Sequence, residues 1–181
     1  MNFDPKDGIW VTWERQPRNI SMAKLLNVQL HELIVNQSRL IKYPILLLRT
    51  ACLLIKKRPK FLFVQNPSIV LSFFAVIVGK IFPVTVVVDA HNSGVYPLEG
   101  KSAILNFIAK TIIRFAHVVI VTNTGIATYV ESCGGTTVIV PDPLPDYSID
   151  RIPGNQHSNV FLFICTWADD EPYFDVIDAF S

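Results

Sequence analysis

Short β-branched runs alternate along the chain with longer segments in which apolar residues recur at helical spacing. The short runs predict strands at GIWVTW (8–13), HELIV (31–35), FLFVQ (61–65), TVVVDA (85–90), HVVIVTN (117–123) and TTVIVP (136–141). The longer segments predict helices at NISMAKLLNVQL (19–30), YPILLLRTACLLIKKRPK (43–60), IVLSFFAVIVGKI (69–81), SAILNFIAKTIIRFA (102–116) and GIATYVES (125–132). Strands that alternate with helices are typical of α/β proteins, so we expect a Rossmann-like parallel sheet with helices on both faces.

The strand predicted over 85–90 belongs at the centre of this sheet. TVVVDA has an unbroken β-branched run before its acid, the pattern of a strand covered by helices on both faces. Two of the flanking helices have predicted caps, Ser102 for one and Thr122 or Asn123 for the other.

The chain changes character after the last of these strands. PDPLPDYSIDRIPGNQH (141–157) is rich in proline and turn-forming residues and predicts an interdomain linker. NVFLFICTW (159–167) then predicts a strand and YFDVIDAFS (173–181) a helix, which together cannot bury their own apolar faces. We therefore expect a first domain over 1–155, with its linker, and the first strand and helix of a second, incomplete domain over 158–181.

Charge is distributed unevenly along the chain. The formal net charge of the 181 residues is only +1, so we expect no nucleic-acid partner. Residues 1–60 hold 11 Lys and Arg against 4 Asp and Glu, whereas residues 61–181 hold 5 against 11, so one end is basic and the other acidic. The cysteines Cys52, Cys133 and Cys165 are widely spaced, which predicts reduced, buried thiols.

Targeting signals and apolar runs predict where the protein works. The amino-terminal MNFDPKDG lacks the apolar core of a signal peptide, so we expect a cytoplasmic protein. The apolar runs are shorter than the ~20 residues that cross a bilayer, and Arg49 and Lys80 interrupt them. The basic residues of 56–60 follow an apolar helix and predict peripheral contact with the inner face of the plasma membrane. A buried helix with a solvated basic end is the alternative.

Polar loops follow four of the predicted strands: ERQPRN (14–19), QNPS (65–68), DAHNSG (89–94) and TNTG (122–125). The carboxyl ends of parallel strands meet helix amino termini at one edge of the sheet, where α/β proteins bind their ligands. We therefore expect these loops to form a ligand site at this edge.

The DAHN stretch offers an acid–base pair. A histidine with an ordinary pKa of about 6.5 can accept a proton near neutral pH, and a neighbouring carboxylate can orient it. His91 is therefore a candidate base, with Asp89 as its partner. In the alternative, Asp89 and Asn92 bond the backbone N–H groups of the turn and His91 is only a polar tip.

The first loop offers two guanidinium groups. Arg15 and Arg18 flank Pro17 and suit a phosphate or diphosphate ligand, with a solvated basic turn as the alternative. No GxGxxG loop follows the first strand, so nicotinamide dinucleotide binding is not expected. The consecutive acids of 169–171 are expected to favour the amino end of the next helix, so we expect no metal site and no bound cofactor.

In this order, the motifs resemble the amino-terminal half of a GT-B glycosyltransferase. The family has GRSPRM where this chain has ERQPRN, QNPP where it has QNPS, and DWHN where it has DAHN. Past the linker, the family's TSWTPDED is echoed by CTWADDEP (165–172). The chain most resembles the type that adds mannose to dolichol-diphosphate-linked chitobiose, together with bacterial glycosyltransferase family four relatives.

The resemblance implies transfer of a sugar from a nucleotide diphosphate sugar, a donor substrate, to a lipid-linked or polysaccharide acceptor. It implies that the amino-terminal domain holds the acceptor, with His91 and Asp89 as catalytic residues. The substrate-binding residues that it implies are Arg15, Arg18, Gln65, Asn66, Asn92, Ser93 and Asn123.

Departures from the family pattern limit what this chain is expected to do alone. Glu14 replaces the glycine that begins the family's first loop, and the donor-binding acidic motif of the class would lie beyond Ser181. The resemblance therefore implies a truncated donor-side domain, inactive without a missing second domain or partner chain. The alternative is a non-catalytic subunit of a split glycosyltransferase that binds the acceptor or recruits its partner to the membrane. An unrelated nucleotide-binding or hydrolase domain is disfavoured, because neither a GxSxG nor a GxxxxGK[ST] motif is present.

Overall fold

The computed structural model of the 181-residue chain describes residues 3–66, 68–141, 163–165 and 172–179. The chain divides into two compact units, Met1–Pro145 and Asp146–Ser181. Nearly all of the predicted linker, including 142–157, lies outside the described residues.

A sheet of parallel strands forms the centre of the first unit. Its strands are β1 (Gly8–Thr12), β2 (Gln29–Glu32), β3 (Phe61–Asn66), β4 (Thr85–Ala90), β5 (Val118–Val121) and β6 (Thr137–Ile139). They lie in the order β2-β1-β3-β4-β5-β6, and every neighbouring pair is parallel. This order confirms the predicted Rossmann-like α/β sheet, with β3 and β4 at its centre.

Helices connect successive strands. They are α1 (Pro17–Leu25), α2 (Arg39–Lys57), α3 (Ile69–Ile81), α4 (Asn92–Val95), α5 (Ala103–Phe115) and α6 (Thr124–Ser132), with α7 (Tyr173–Asp178) in the second unit. Short 3-10 helices span Pro5–Asp7 and Pro97–Gly100. The predicted caps Ser102 and Asn123 accept hydrogen bonds from the backbone N–H groups of Leu105 and Ile126.

Two predicted helices have the wrong bounds. The helix predicted over 19–30 ends at Leu25, because Asn27 adopts a positive φ of 52° and the following residues pair with β1 as β2. The helix predicted over 43–60 spans Arg39–Lys57 instead, so that Pro44 lies inside α2, and it ends where Arg58 adopts a positive φ of 47°. The strand predicted over 31–35 accordingly begins two residues earlier, at Gln29.

The second unit can be compared with its prediction at few positions. Helix α7 lies within the helix predicted over 173–181. Of the strand predicted over 159–167, the described residues 163–165 are not in a strand, and the acids of 169–171 lie outside the described residues.

Alternate residues of the strands face two separate hydrophobic cores. On one face, residues such as Val64 and Val88 pack with side chains of α2 to α6. On the other face, Phe63 and Val87 pack with Met22 of α1. Helices therefore lie on both faces, although α1 is the single helix of the described first unit that contributes to the second core. Beside α1 an apolar groove of about 270 Å³ runs over β3 to β6.

The cysteines depart from their prediction. Cys52 is exposed, and Cys133 and Cys165 are half-buried, so the expected burial was wrong; all three are free thiols. Cys52 is exposed because α2 turns Leu46 and Thr50 toward the core and the side of the helix that carries Cys52 outward.

Among the described residues, no helix is both long enough and apolar enough to cross a membrane.

Candidate functional site

Polar side chains gather at the carboxyl edge of the sheet, where β1, β3 and β4 end side by side. The chain order reverses between β1 and β3, a switch point of the kind at which open α/β sheets form their ligand crevice. Of the eight buried polar side chains in the described residues, six lie at this edge: Thr12, Arg18, Asn19, Gln65, Asn66 and Asp89. Burial of polar groups is costly unless they bond one another, so the edge is held by a polar network.

Arg18 and Asp89 form a buried, two-pronged ion pair within this network. Arg18 Nη2 donates to Asp89 Oδ1 at 2.7 Å, and Nε donates to Oδ2 at 2.9 Å. The side chains are 7% and 1% exposed. Arg18 Nη2 also lies 3.4 Å from the carbonyl oxygen of Val140, which follows β6. The pair therefore fastens the first turn of α1 to the ends of two strands.

His91 lies beside the same carboxylate. Its Nε2 is 3.8 Å from Asp89 Oδ2, which is within ion-pair range but longer than a hydrogen bond. Nε2 is shielded from solvent and has no hydrogen-bond partner among the described residues, although 29% of the side chain is exposed. The exposed part of the side chain therefore lies away from Nε2. Asp89 thus stands between Arg18 and His91, with its hydrogen bonds directed to Arg18.

Asn19 joins the first loop to β1 and β3. Its Oδ1 accepts a hydrogen bond from Trp10 Nε1 at 3.0 Å. Its Nδ2 donates to Thr12 Oγ1 at 3.0 Å and to Gln65 Oε1 at 2.8 Å. Gln65 Nε2 donates in turn to Gln16 Oε1. These bonds hold residues 16–19 to Gln65, the next-to-last residue of β3. The first loop and the end of β3 therefore form one rim.

Asn66 fixes the position of α4 and thereby of His91. The side chain is fully buried, and its Nδ2 donates to the carbonyl oxygen of Gly94 at 3.3 Å. A Cβ on Gly94 would lie 1.6 Å from the backbone oxygen of Asn66, so a residue without a side chain is required there. His91 directly precedes α4, so the close approach of α4 to Asn66 also fixes where the imidazole lies at the carboxyl edge of the sheet.

No protein-family model matches the chain, and no curated protein matches it. Among solved structures, the chain is similar to the crystal structure of Glycyrrhiza uralensis UGT73P12 complexed with glycyrrhetinic acid 3-O-monoglucuronide, with a TM-score of 0.47 and 11% sequence identity. The match covers 74% of this chain and 42% of the UGT73P12 chain, so this chain spans less than half the length of that protein.

The structure separates the predicted site residues into two groups. It brings together Arg18, Gln65, Asn66, Asp89 and His91. It does not join the other predicted residues to this group: Arg15, Asn92, Ser93 and Asn123.

The outer residues have different surroundings. Arg15 is exposed, and its Nε lies 3.6 Å from Glu32 Oε2 at the end of β2. Asn92 and Ser93 are exposed in the first turn of α4. Asn123 accepts the N–H of Ile126 and so serves as a helix cap.

Sequence reasoning placed Gln16 and Asn19 in a site loop without giving either a role, and it missed Thr12 altogether. Asn19 is the last residue of the ERQPRN loop, and Thr12 is the last residue of β1. The rule that polar groups at the carboxyl ends of strands converge could have identified both. Their mutual bonds could not be found, because they require the distance between α1 and β3.

Three titratable groups elsewhere in the first unit have altered pKa values. Burial, and secondarily the positive charge of Lys57, lowers the pKa of His31. Burial, a hydrogen bond with Cys133 and the nearby charges of Cys133 and Tyr96 raise the pKa of Tyr129. A hydrogen bond to Asp7 raises the pKa of exposed Lys60. In the part of the chain that the structure describes, no three His, Cys, Asp or Glu side chains are grouped to hold a metal ion.

Proposed function

We propose that this chain is the acceptor-side half of a glycosyltransferase, which transfers a sugar from a nucleotide diphosphate donor to a lipid-linked or polysaccharide acceptor. The observation that carries the proposal is the meeting of the first loop and the DAHN loop at Asp89, with Arg18 at 2.7 Å and His91 at 3.8 Å. Support also comes from the resemblance of the ERQPRN, QNPS and DAHN motifs to those of GT-B enzymes, in the same order.

In this proposal His91 is the general base. Its Nε2–H faces Asp89, and Nδ1 accepts the proton of the acceptor hydroxyl as that oxygen attacks the anomeric carbon of the donor. A bond then forms from the acceptor oxygen to the anomeric carbon, the bond from that carbon to the diphosphate oxygen breaks, and the nucleoside diphosphate leaves. Asp89 stabilises the imidazolium electrostatically, since 3.8 Å is too long for a hydrogen bond. If transfer retains the anomeric configuration, His91 instead contacts the sugar or the diphosphate.

The two arginines have different parts in the proposal. Arg18 is a positioning residue, because two of its nitrogens donate to the carboxylate beside His91. Arg15 is exposed at the rim and is the better placed of the two to meet a diphosphate from solvent. Asn92 and Ser93, exposed at the start of α4, would contact the acceptor.

A complete cleft needs a donor-binding part, supplied by a second domain or a partner chain. We place the reaction in the cytoplasm, at the inner face of the membrane, where a lipid-linked acceptor would present its diphosphate. The test is a screen of nucleotide sugars with the longest natural form of the protein and a membrane lipid extract as acceptor. Donor-dependent and acceptor-dependent release of nucleoside diphosphate is the expected result.

The alternative, a non-catalytic subunit of a split glycosyltransferase, predicts a different outcome of the same screen. The chain would bind the lipid extract but release no nucleoside diphosphate until a separate donor-domain chain is added. Neither release nor acceptor binding under any condition would contradict both forms of the proposal.

A further inference from the structure

Three helices on one face of the sheet contain no acidic residue. Helices α2, α3 and α5 together hold 8 of the chain's 16 Lys and Arg and none of its 15 Asp and Glu. We refer to α2, α3 and α5 as the basic helical layer. The cations of this layer are Arg39, Lys42, Arg49, Lys56, Lys57, Lys80, Lys110 and Arg114.

The basic helical layer is continuous. Helix α3 packs against α2 on one side and against α5 on the other. At the carboxyl ends of α3 and α5, the Nζ of Lys80 lies 4.8 Å from the ring centre of Phe115, a cation–π contact. The three helices therefore present one surface rather than three separate ones.

The outer side of the layer is apolar as well as basic. On α2, Ile41, Leu48 and Ile55 are exposed and seven residues apart, so they form a stripe along the side of the helix that faces away from the core. The neighbouring helices add exposed apolar residues: Ile77, Ile81, Ile104, Phe107 and Phe115. Arg49 and Lys56 each follow a member of the α2 stripe by one residue, so that cations flank the apolar row.

We propose that the basic helical layer docks on the surface of an anionic lipid bilayer. Helices that lie in a membrane interface combine exposed large apolar side chains with Lys and Arg, and each cation near an anionic leaflet contributes about 1 kcal/mol. The apolar row of α2 enters the boundary between headgroups and acyl chains, and the flanking cations contact the headgroups. The layer lies on a face of the sheet, whereas the candidate site lies at its carboxyl edge, so docking leaves the rim uncovered.

Charge favours a bilayer over a second copy of the chain. A two-fold symmetric dimer through this layer would place its cations against the same cations of the partner, with no carboxylate on these helices to offset them. Nucleic acid would satisfy the cations but would leave the exposed leucine, isoleucine and phenylalanine side chains in water. An anionic lipid surface both pairs with the cations and removes the apolar side chains from water.

The docking surface is larger than the basic segment 56–60 and is centred elsewhere. Two cations of that segment bond the protein itself: Lys57 Nζ donates to Gln29 at 3.0 Å, and Lys60 Nζ lies 2.7 Å from an oxygen of Asp7. These bonds direct Lys57 and Lys60 toward β2 and the amino-terminal segment. The outer stripe of α2, with Arg49 and Lys56, is therefore the centre of the proposed contact.

The test is co-sedimentation of the full chain with vesicles of phosphatidylcholine alone or mixed with phosphatidylglycerol. We expect binding to the mixed vesicles that weakens with added salt, because salt screens exposed charges. The double variant Arg49→Gln/Lys56→Gln should bind about 25-fold more weakly, about fivefold for each ~1 kcal/mol cation. Leu48→Gln/Ile55→Gln should bind at least about 100-fold more weakly, because burial of each side chain contributes about 1.5 kcal/mol or more.

Matched control variants lie on α1, on the opposite face of the sheet. Leu25 is 62% exposed against 67% for Leu48, and Lys24 is an exposed cation. Leu25→Gln and Lys24→Gln should bind vesicles as the wild type does. All variants change exposed positions, and unchanged thermal unfolding would show that they are folded.

Several results would overturn the proposal: no binding to the mixed vesicles, equal binding to both vesicle types, or losses in the α1 controls as large as those in the α2 variants. A dimer in solution that Leu48→Gln dissociates would also overturn it in favour of a second copy. The assay contains no donor sugar, so its failure is distinguishable from failure of the proposed sugar transfer.

Discussion

Arg18 and Asp89 are held together out of water, so each makes the burial of the other tolerable. Loss of one partner leaves an uncompensated buried charge, which typically costs about 3–5 kcal/mol. We therefore expect Asp89→Asn to lower the free energy of unfolding by about that amount, measured by urea denaturation. The double variant Arg18→Met/Asp89→Asn should recover much of the loss.

The chain offers a matched control for this change. Asp7 also bonds a cation, Lys60, but that pair is at the surface, where water screens it. Asp7→Asn should therefore affect unfolding far less than Asp89→Asn. Equal effects of the two substitutions would show that the Arg18–Asp89 pair is not buried as described.

His31 gives stability a dependence on pH. Burial lowers its pKa in the fold, so the unfolded chain takes up a proton that the folded chain resists. The free energy of unfolding should therefore fall as the pH falls below the unfolded pKa of about 6.5, and it should stop falling below the folded pKa. Urea denaturation at about pH 7.5 and about pH 5.5 should show a smaller difference for His31→Gln than for the wild type. An equal pH dependence of the two proteins would contradict the assignment.

At the scale of elements, the short helix α4 depends on a contact that only glycine allows. A side chain on Gly94 meets the backbone oxygen of Asn66 at 1.6 Å, so Gly94→Ala must displace either α4 or β3. Such overpacking typically costs about 1–3 kcal/mol. We expect a loss of that size by urea denaturation, together with weaker acceptor binding, because α4 carries the loop of His91.

Gly125 of α6 is the control for this substitution. A Cβ there would lie 3.3 Å from its nearest neighbour, Asn123 Oδ1, so the capping side chain has to move by only a few tenths of an ångström. Gly125→Ala should therefore leave both the unfolding free energy and acceptor binding close to those of the wild type. A loss as large as that of Gly94→Ala would mean that the close approach to Asn66 is not the cause.

The sequence predicted elements better where periodicity and caps agree than where they conflict. The strand over 85–90 matches β4 in both bounds, and Ser102 and Asn123 cap the helices as expected. The boundary between α1 and β2 was misplaced, because MAKLLNVQL keeps helical spacing through the turn at Asn27. Helix α4 was not predicted, since four residues carry no readable period.

At the scale of the whole molecule, the sequence could not predict features that depend on distances between elements far apart along the chain. The convergence of the loops at one edge follows from a parallel sheet, and His91 and Arg18 do meet there through Asp89. That Arg18 would bond Asp89 rather than face a ligand depends on the packing of α1 against β4. The sequence also could not predict that helices cover one face of the sheet more completely than the other. An apolar run such as VVV is consistent with a helix or with an open groove on its second face.

In the proposed reaction the imidazole of His91, beside Asp89, acts on the acceptor. The most direct measurement is the rate of nucleoside diphosphate release by His91→Ala, with the donor and acceptor that the wild type uses. Because His91→Ala removes the general base, we expect a rate at least about 100-fold lower, with thermal unfolding largely unchanged. The control Thr128→Ala, an exposed position on α6, should turn over at the wild-type rate. Wild-type turnover by His91→Ala would contradict the account.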